Sequence, residues 1–194
     1  MSSVLSLNDR HTDATQKLIL STALDLLERS GVTEVTVRAV AKQSGMSERT
    51  IFRYFADRDE FLDALAKYAS DQMHTPAPPV TIDKLLKYPA PLYRAFEARA
   101  QLIQGVLHTE IFTRVRYEVA EQRWRVVADL IDRHASHRPK KERMLAATNI
   151  NYYLSATTWN YFRKHFRLSL DDTIACAKSA VRLNVEEIGK KRKG

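Results

Sequence analysis

Arg49 and Arg53 stand four residues apart in the stretch SERTIFRYF, with Glu48 and Thr50 beside the first of them. At that spacing two side chains emerge from the same side of one helix. A guanidinium matches the O6 and N7 acceptors of guanine, so a helix carrying Arg49 and Arg53 outward can read base edges in the major groove of DNA. A second pair of arginines has a different setting. The segment from Ile111 to Ala135 reads as one helix whose broad apolar face holds Phe112, Val115, Val119, Val126, Val127, Leu130 and Ile131. At 3.6 residues per turn Arg116 and Arg123 fall inside that face, whereas Arg114 and Arg125 fall on the wet side. A buried guanidinium needs partners. One reading is a bidentate contact to the carboxylate of an acidic ligand. The other is an ion pair with Glu97 or Glu110, or a stem that lies along the apolar surface with its head in water.

The elements that must position Arg49 and Arg53 are two short helices joined by a tight turn, within TEVTVRAVAKQSGMSERTIFRYF. Thr36 caps the first helix, because its hydroxyl can accept an orphan backbone N–H. Val37, Val40 and Ala41 recur at helical spacing. Gly45 supplies the turn, where a positive φ is cheap only without a side chain. Ser47 caps the second helix. Ile51 and Phe55 face inward, flanked by Phe52 and Tyr54. Ala41, Gly45 and Ile51 sit where a helix-turn-helix needs a small residue, a turn residue and a core residue. The second helix of such a unit enters the major groove.

This block, the DRDEFL that follows it and the preceding IxxxALxLLxxxG from Ile19 to Gly31 resemble the TetR family of bacterial transcriptional regulators. The resemblance is specific over residues 15 to 65; beyond them only length and helical character agree. It implies an all-α protein with an N-terminal helix-turn-helix DNA-binding region over residues 13–74 and a C-terminal helical bundle over 81–190 for effector binding and dimerisation. The function implied is that of a sequence-specific DNA-binding transcriptional regulator, a repressor released by a small apolar or amphipathic effector. It would act as a cytoplasmic homodimer on a palindromic double-stranded operator. The alternative is a ligand-independent DNA-binding or protein-interaction module built on the same fold. Arg49 and Arg53 are then expected at bases, with Glu48 on the same face. Thr36, Arg38, Ser47, Thr50, Tyr54 and Arg58 are expected at phosphates, which position the reader without carrying sequence information. The family pattern often has a small residue where Arg49 stands, so this arginine is a departure that adds a base-reading group.

Elsewhere the periodicity predicts a first helix from Thr15 to Ser30, capped by Asp13 with Gln16 as capping-box partner and ended by Gly31. A fourth helix starts at Asp57 with Glu60 completing a second capping box, and Phe61, Leu62, Leu65, Tyr68 and Ala69 form its stripe. It stops before Thr75-Pro-Ala-Pro-Pro. A short helix over 81–88, longer ones over 92–107, 111–135 and 139–166, and a last one capped by Ser169 and Asp172 complete about nine or ten helices.

Two C-terminal features bear on assembly. From Met144 to Phe162 there is no charged residue, but Thr148, Asn149, Asn151, Ser155, Thr157, Thr158 and Asn160 interrupt the run, which argues against a membrane span. A helix without a charged face is normally buried on most sides. The last helix carries an apolar stripe of Ile174, Ala177, Val181, Val185 and Ile188. Two such helices from each subunit would make a four-helix dimer interface, as the resemblance implies; the alternative is that both pack internally. Among the many aromatic residues here, Tyr93, Phe96, Tyr152 and Trp159 are the candidates to line a ligand cavity with Arg116 and Arg123, while core packing accounts for most of the others.

Composition sets the remaining bounds. The chain has 194 residues and is 44% hydrophobic, enough for a real core, and its 5 Gly and 6 Pro argue against a sandwich. The net charge of +8 does not sit on the helix-turn-helix, because residues 1–60 hold 8 Lys and Arg against 9 Asp and Glu. DNA binding therefore rests on the placement of a few cations. The Lys190-Lys191-Arg192-Lys193 tail contributes to the excess and reads as a solvated end, with phosphate contact as the minority reading. The single Cys176 excludes an internal disulfide and a cysteine-based zinc site, which fits a reducing compartment. MSSVLSLNDRH lacks the apolar run of a signal peptide. No phosphate-cradling glycine loop, GxSxG or HExxH occurs, and His134 and His137 read as solvated residues rather than metal ligands. The expectation is a protein that is not an enzyme and takes no cofactor or metal.

Overall fold

The computed structural model describes residues 7–30, 35–117 and 121–191. These form twelve α-helices and no strand: α1 Leu7–Ser30, α2 Val37–Ser44, α3 Glu48–Ile51, α4 Arg58–Gln72, α5 Ile82–Lys87, α6 Pro89–Ala98, α7 Ala100–Leu107, α8 Ile111–Val115, α9 Glu121–His134, α10 Lys140–Tyr153, α11 Ala156–Lys164 and α12 Leu170–Gly189. The fold is all-α, as the periodicity predicts.

The chain divides into two compact units. One comprises Met1–Gln72 with Gln104–Val115, the other Met73–Ile103 with Arg116–Gly194. Residues 104–115, assigned by sequence to the C-terminal region, thus belong to the first unit. The Thr75-Pro-Ala-Pro-Pro stretch follows the break after Gln72.

In the first unit α2 packs on α1 and α3, and α4 packs on α1 and α8. Its core takes Ile19, Ala23 and Leu27 from α1, Val40 and Ala41 from α2, Ile51 and Phe55 from α3 and the turn after it, and Phe61, Leu62 and Leu65 from α4, all at most 5% exposed. The Phe55 and Phe61 rings meet edge to face at 5.4 Å. The helix α1 begins at Leu7, so Asp13 lies inside it rather than at its cap. The expected terminator Gly31 lies outside the described residues. The second capping box forms as expected: Glu60 N–H donates to Asp57 Oδ1 at 2.8 Å and Ala56 N–H to Glu60 Oε2 at 2.5 Å. The stripe of α4 is buried except for Tyr68, which is half-buried.

In the second unit α10 packs against both α9 and α12, and α12 also covers α5, α6 and α11. Two of the long helices expected from sequence are divided, and a third is described in part. The 92–107 segment breaks at Arg99, whose φ of −121° and ψ of 33° leave the helical region. The 111–135 segment is α8 and α9, with residues 118–120 outside the described set. The 139–166 segment breaks at Leu154–Ser155. There Ser155 Oγ accepts from Thr158 N–H at 3.1 Å and Thr158 Oγ1 donates to the Tyr152 carbonyl at 2.6 Å. Ser155 thus acts as an N-cap within an uncharged run whose apolar periodicity hides the interruption. Pro89 opens α6 at its first turn, where a missing N–H costs nothing.

Candidate nucleic-acid interface and a buried arginine

Every local device that orients Arg49 and Arg53 is formed. Thr36 Oγ1 accepts from Ala39 N–H at 3.1 Å and starts α2. Gly45 ends it at φ 72°, a left-handed C-cap whose N–H bonds the Ala41 carbonyl. Met46 N–H bonds the same carbonyl at 3.0 Å. Ser47 Oγ then accepts from Thr50 N–H at 3.0 Å and lies 2.8 Å from Thr50 Oγ1. Ile51 and Phe55 are buried at 0% and 1% exposure, which fixes the rotation of the segment. Glu48, Arg49 and Arg53 are consequently exposed, as are Thr36, Arg38, Ser47 and Arg58; Thr50 and Tyr54 are half-buried.

Three details depart from the sequence reading. The second helix is only Glu48–Ile51, and the backbone continues through tight turns: Arg53 N–H to the Thr50 carbonyl at 3.2 Å and Tyr54 N–H to the Ile51 carbonyl at 2.9 Å. Arg53 therefore projects from a turn that prolongs the helix. Phe52, expected to flank the core, is 42% exposed between the two arginines and offers an apolar contact to the same face. Arg58, expected at a phosphate, ion-pairs with Glu110 at the start of α8. Beside it Arg114 pairs with Asp59 at 2.6 Å and with Asp63, so carboxylates of α4 hold α8 through one guanidinium.

In the second unit the expected ligand residues separate into two groups. Arg116 lies just past the end of α8 and is exposed. Its expected place on the apolar face holds for a regular α-helix from 111 to 135, whereas residues 116–117 form a π turn. Tyr152 is 58% exposed on α10 and does not join the interior. Tyr93, Phe96, Trp159 and Arg123 are buried, at 0%, 3%, 1% and 5%. Tyr93 and Phe96 lie 5.9 Å apart between ring centroids, and Phe96 and Trp159 6.0 Å. The Tyr93 hydroxyl donates to the Tyr153 carbonyl at 2.6 Å. Trp159 Nε1–H donates to Glu97 at 3.2 Å, and Arg163 grips the same carboxylate at 2.6 and 3.0 Å.

Arg123 occupies the first position of the buried stripe of α9, ahead of Val127, Leu130 and Ile131. Glu110 is held by Arg58 and Glu97 by Arg163, so neither carboxylate proposed for it from sequence serves it. Its guanidinium lies beside the phenols of Tyr88 and Tyr93, and its Nε finds no acceptor among the described residues. Burial pushes the Arg123 guanidinium below its usual value, with Tyr88 and then Tyr93 opposing. Burial raises both tyrosines, so they stay neutral phenols. Tyr88 was not among the sequence candidates. Its signal is indirect, since its hydroxyl donates to the Pro76 carbonyl at 2.7 Å, a partner no periodicity reveals.

The expected dimer stripe is a core feature. Ile174, Ala177, Val181 and Val185 are 5%, 0%, 0% and 4% exposed within the single chain, because the face that carries them packs inside the unit. The uncharged outward residues are others: Met144, Leu145 and Tyr152 on α10 and Leu183 on α12, each more than half exposed. Cys176 is exposed. Among the described residues no cluster of His, Cys, Asp and Glu is grouped to hold a metal, and no helix is long and apolar enough to cross a membrane.

Residues 19–65 match the family model of bacterial regulatory proteins, tetR family. No curated protein matches the sequence. Among solved structures the chain is similar to a tetR-family transcriptional regulator from Streptomyces coelicolor, at 16% identity and a TM-score of 0.59 over 95% of this chain and 87% of that one. It is also similar to a TetR-like transcriptional regulator from Rhodococcus sp. RHA1, at 13% identity and a TM-score of 0.55 over 88% of this chain and 95% of that one. At these identities the likeness is one of fold.

Proposed function

We propose that this chain, whose residues 19–65 match the tetR family of bacterial regulatory proteins, is a DNA-binding repressor released by a small effector. The observation that carries the reading is the outward pair of Arg49, on the capped α3, and Arg53, on the turn that prolongs it, in a segment whose rotation is locked by Ile51 and Phe55. Thr36, Arg38, Ser47, Thr50 and Tyr54 supply donors for phosphates around that pair. The Thr36 oxygen already accepts a cap bond, which leaves its hydroxyl hydrogen to donate, and of the bonded Ser47–Thr50 hydroxyl pair one hydrogen is left for a phosphate. Arg58 would exchange Glu110 for a phosphate, a weaker contribution than that of an unpaired cation.

A homodimer on a palindromic operator remains part of the proposal, with the interface moved. The support is the row of uncharged, exposed residues on α10 and α12, Met144, Leu145, Tyr152 and Leu183, rather than the stripe of Val181. A two-fold dimer would present two Arg49 and Arg53 pairs to half-sites about one helical turn or a multiple apart. The effector would bind in the second unit, near Tyr93, Phe96, Arg123 and Trp159. Such a ligand shifts operator affinity only if it binds the two conformations unequally.

The test starts from duplexes selected out of a random pool by the wild-type protein. Arg49→Ala is expected to cost about 1–3 kcal/mol at its cognate base pair and to relax the preference there. Unchanged affinity and unchanged sequence preference in that variant would remove Arg49 from the base-reading set.

A further inference from the structure

We infer that Arg123 is the recognition point for the carboxylate of a small monocarboxylic acid with an aromatic or acyl body. The inference rests on the reading of the second unit as the effector-binding part. Arg123 is 5% exposed, and no carboxylate among the described residues pairs with it. Its neighbours are the Tyr88 and Tyr93 phenols, which are neutral and offer one hydroxyl oxygen each. Both hydroxyl hydrogens are committed, to the carbonyls of Pro76 and Tyr153. The phenols are therefore held with their oxygens available as acceptors, and they solvate the guanidinium without neutralising it. The remaining Nε–H is buried and finds no acceptor among the described residues.

A fixed cation taken out of water without a counter-charge is unfavourable, and an arriving anion reverses that cost. The guanidinium fork matches a planar carboxylate through Nε–H and one terminal N–H. One guanidinium also balances one negative charge. A phosphate dianion would leave a second charge buried and uncompensated, so the monoanion is the better fit. Tyr93, which neighbours Arg123, packs on into Phe96 at 5.9 Å and Phe96 into Trp159 at 6.0 Å, an aromatic cluster chemically suited to the acid's apolar body.

The test uses the full chain and four probes, benzoate and octanoate against benzamide and octanamide, with inorganic phosphate as a fifth. Calorimetry is expected to show the carboxylates binding at least about ten-fold more tightly than their amides. Arg123→Met should erase that preference while leaving the melting temperature of the ligand-free protein equal or higher, because it replaces an uncompensated charge with an apolar chain of similar length. Should the variant fail to fold, the Arg123 Nε–H resonance of the wild-type protein decides, and it is expected to move on addition of benzoate but not of benzamide. Equal binding of acid and amide, tighter binding of phosphate than of benzoate, an unmoved Nε–H resonance, or a carboxylate preference that survives in Arg123→Met overturns the inference. Operator affinity is measured separately. Benzoate binding through Arg123 without any change in operator affinity supports the site and overturns the effector reading alone.

Discussion

Val181→Glu is expected to unfold the second unit. Val181 is 0% exposed on the face of α12 that also carries Ile174, Ala177 and Val185. Removing the valine forfeits about 1.5–3 kcal/mol of apolar burial. Placing a carboxylate there without a partner adds several kcal/mol more, or forces the group to protonate. The sum is comparable to the whole stability of a domain this size, about 5–15 kcal/mol. Circular dichroism and urea unfolding should therefore show a lost or strongly weakened cooperative transition. Leu183 is the instructive contrast two residues away, 57% exposed on the same helix. Leu183→Glu should leave stability within about 0.5 kcal/mol if the chain is alone. If α12 pairs with a second copy through its outer face, the same change should shift the species seen by sizing from dimer to monomer. A folded, monomeric Val181→Glu protein would restore the buried stripe as the interface and discard the outward one.

The contrast shows where the sequence was legible and where it was not. The α2–turn–α3 unit could be read residue by residue because each of its devices is local. A cap hydroxyl, a left-handed glycine and an apolar pair four apart all act within one or two turns of chain. The breaks at Arg99 and Leu154 are different. Apolar periodicity runs through them, and only the hydrogen bonds of Ser155 and Thr158 reveal the second. The backbone passes into a wider π turn at residues 116–117, which shifts the register that puts Arg116 and Arg123 on one face; Arg116 is exposed and Arg123 alone is buried. The stripe of α12 was visible as apolar, but a periodic pattern says that a face is covered, not by what. The same holds for Glu97 and Glu110: their availability as acceptors could be read from sequence, whereas their capture by Arg163 and Arg58 depends on partners more than fifty residues away.

Gly105→Val is expected to destabilise the first unit by about 3 kcal/mol, the upper end of what overpacking a close-packed interior typically costs. Gly105 lies inside α7, where glycine is unfavourable by about 1 kcal/mol relative to alanine. Propensity alone therefore predicts that a larger residue would help. The contact geometry predicts the reverse. A Cβ at position 105 would meet the Leu27 carbonyl oxygen at 2.5 Å and its carbon at 3.0 Å. Both atoms are backbone, so no rotamer change can relieve the overlap. Either α1 or this end of α7 has to shift, and Leu27 is 1% exposed with the core closed around it. Valine adds two γ carbons to the same conflict. Gly105→Ala should fall between the two, because its gain in propensity offsets part of the clash. Thermal unfolding of the three proteins should rank them Gly, then Ala, then Val. An alanine variant more stable than the wild type would mean that the two backbones are not in contact in solution, and that the glycine is retained for another reason.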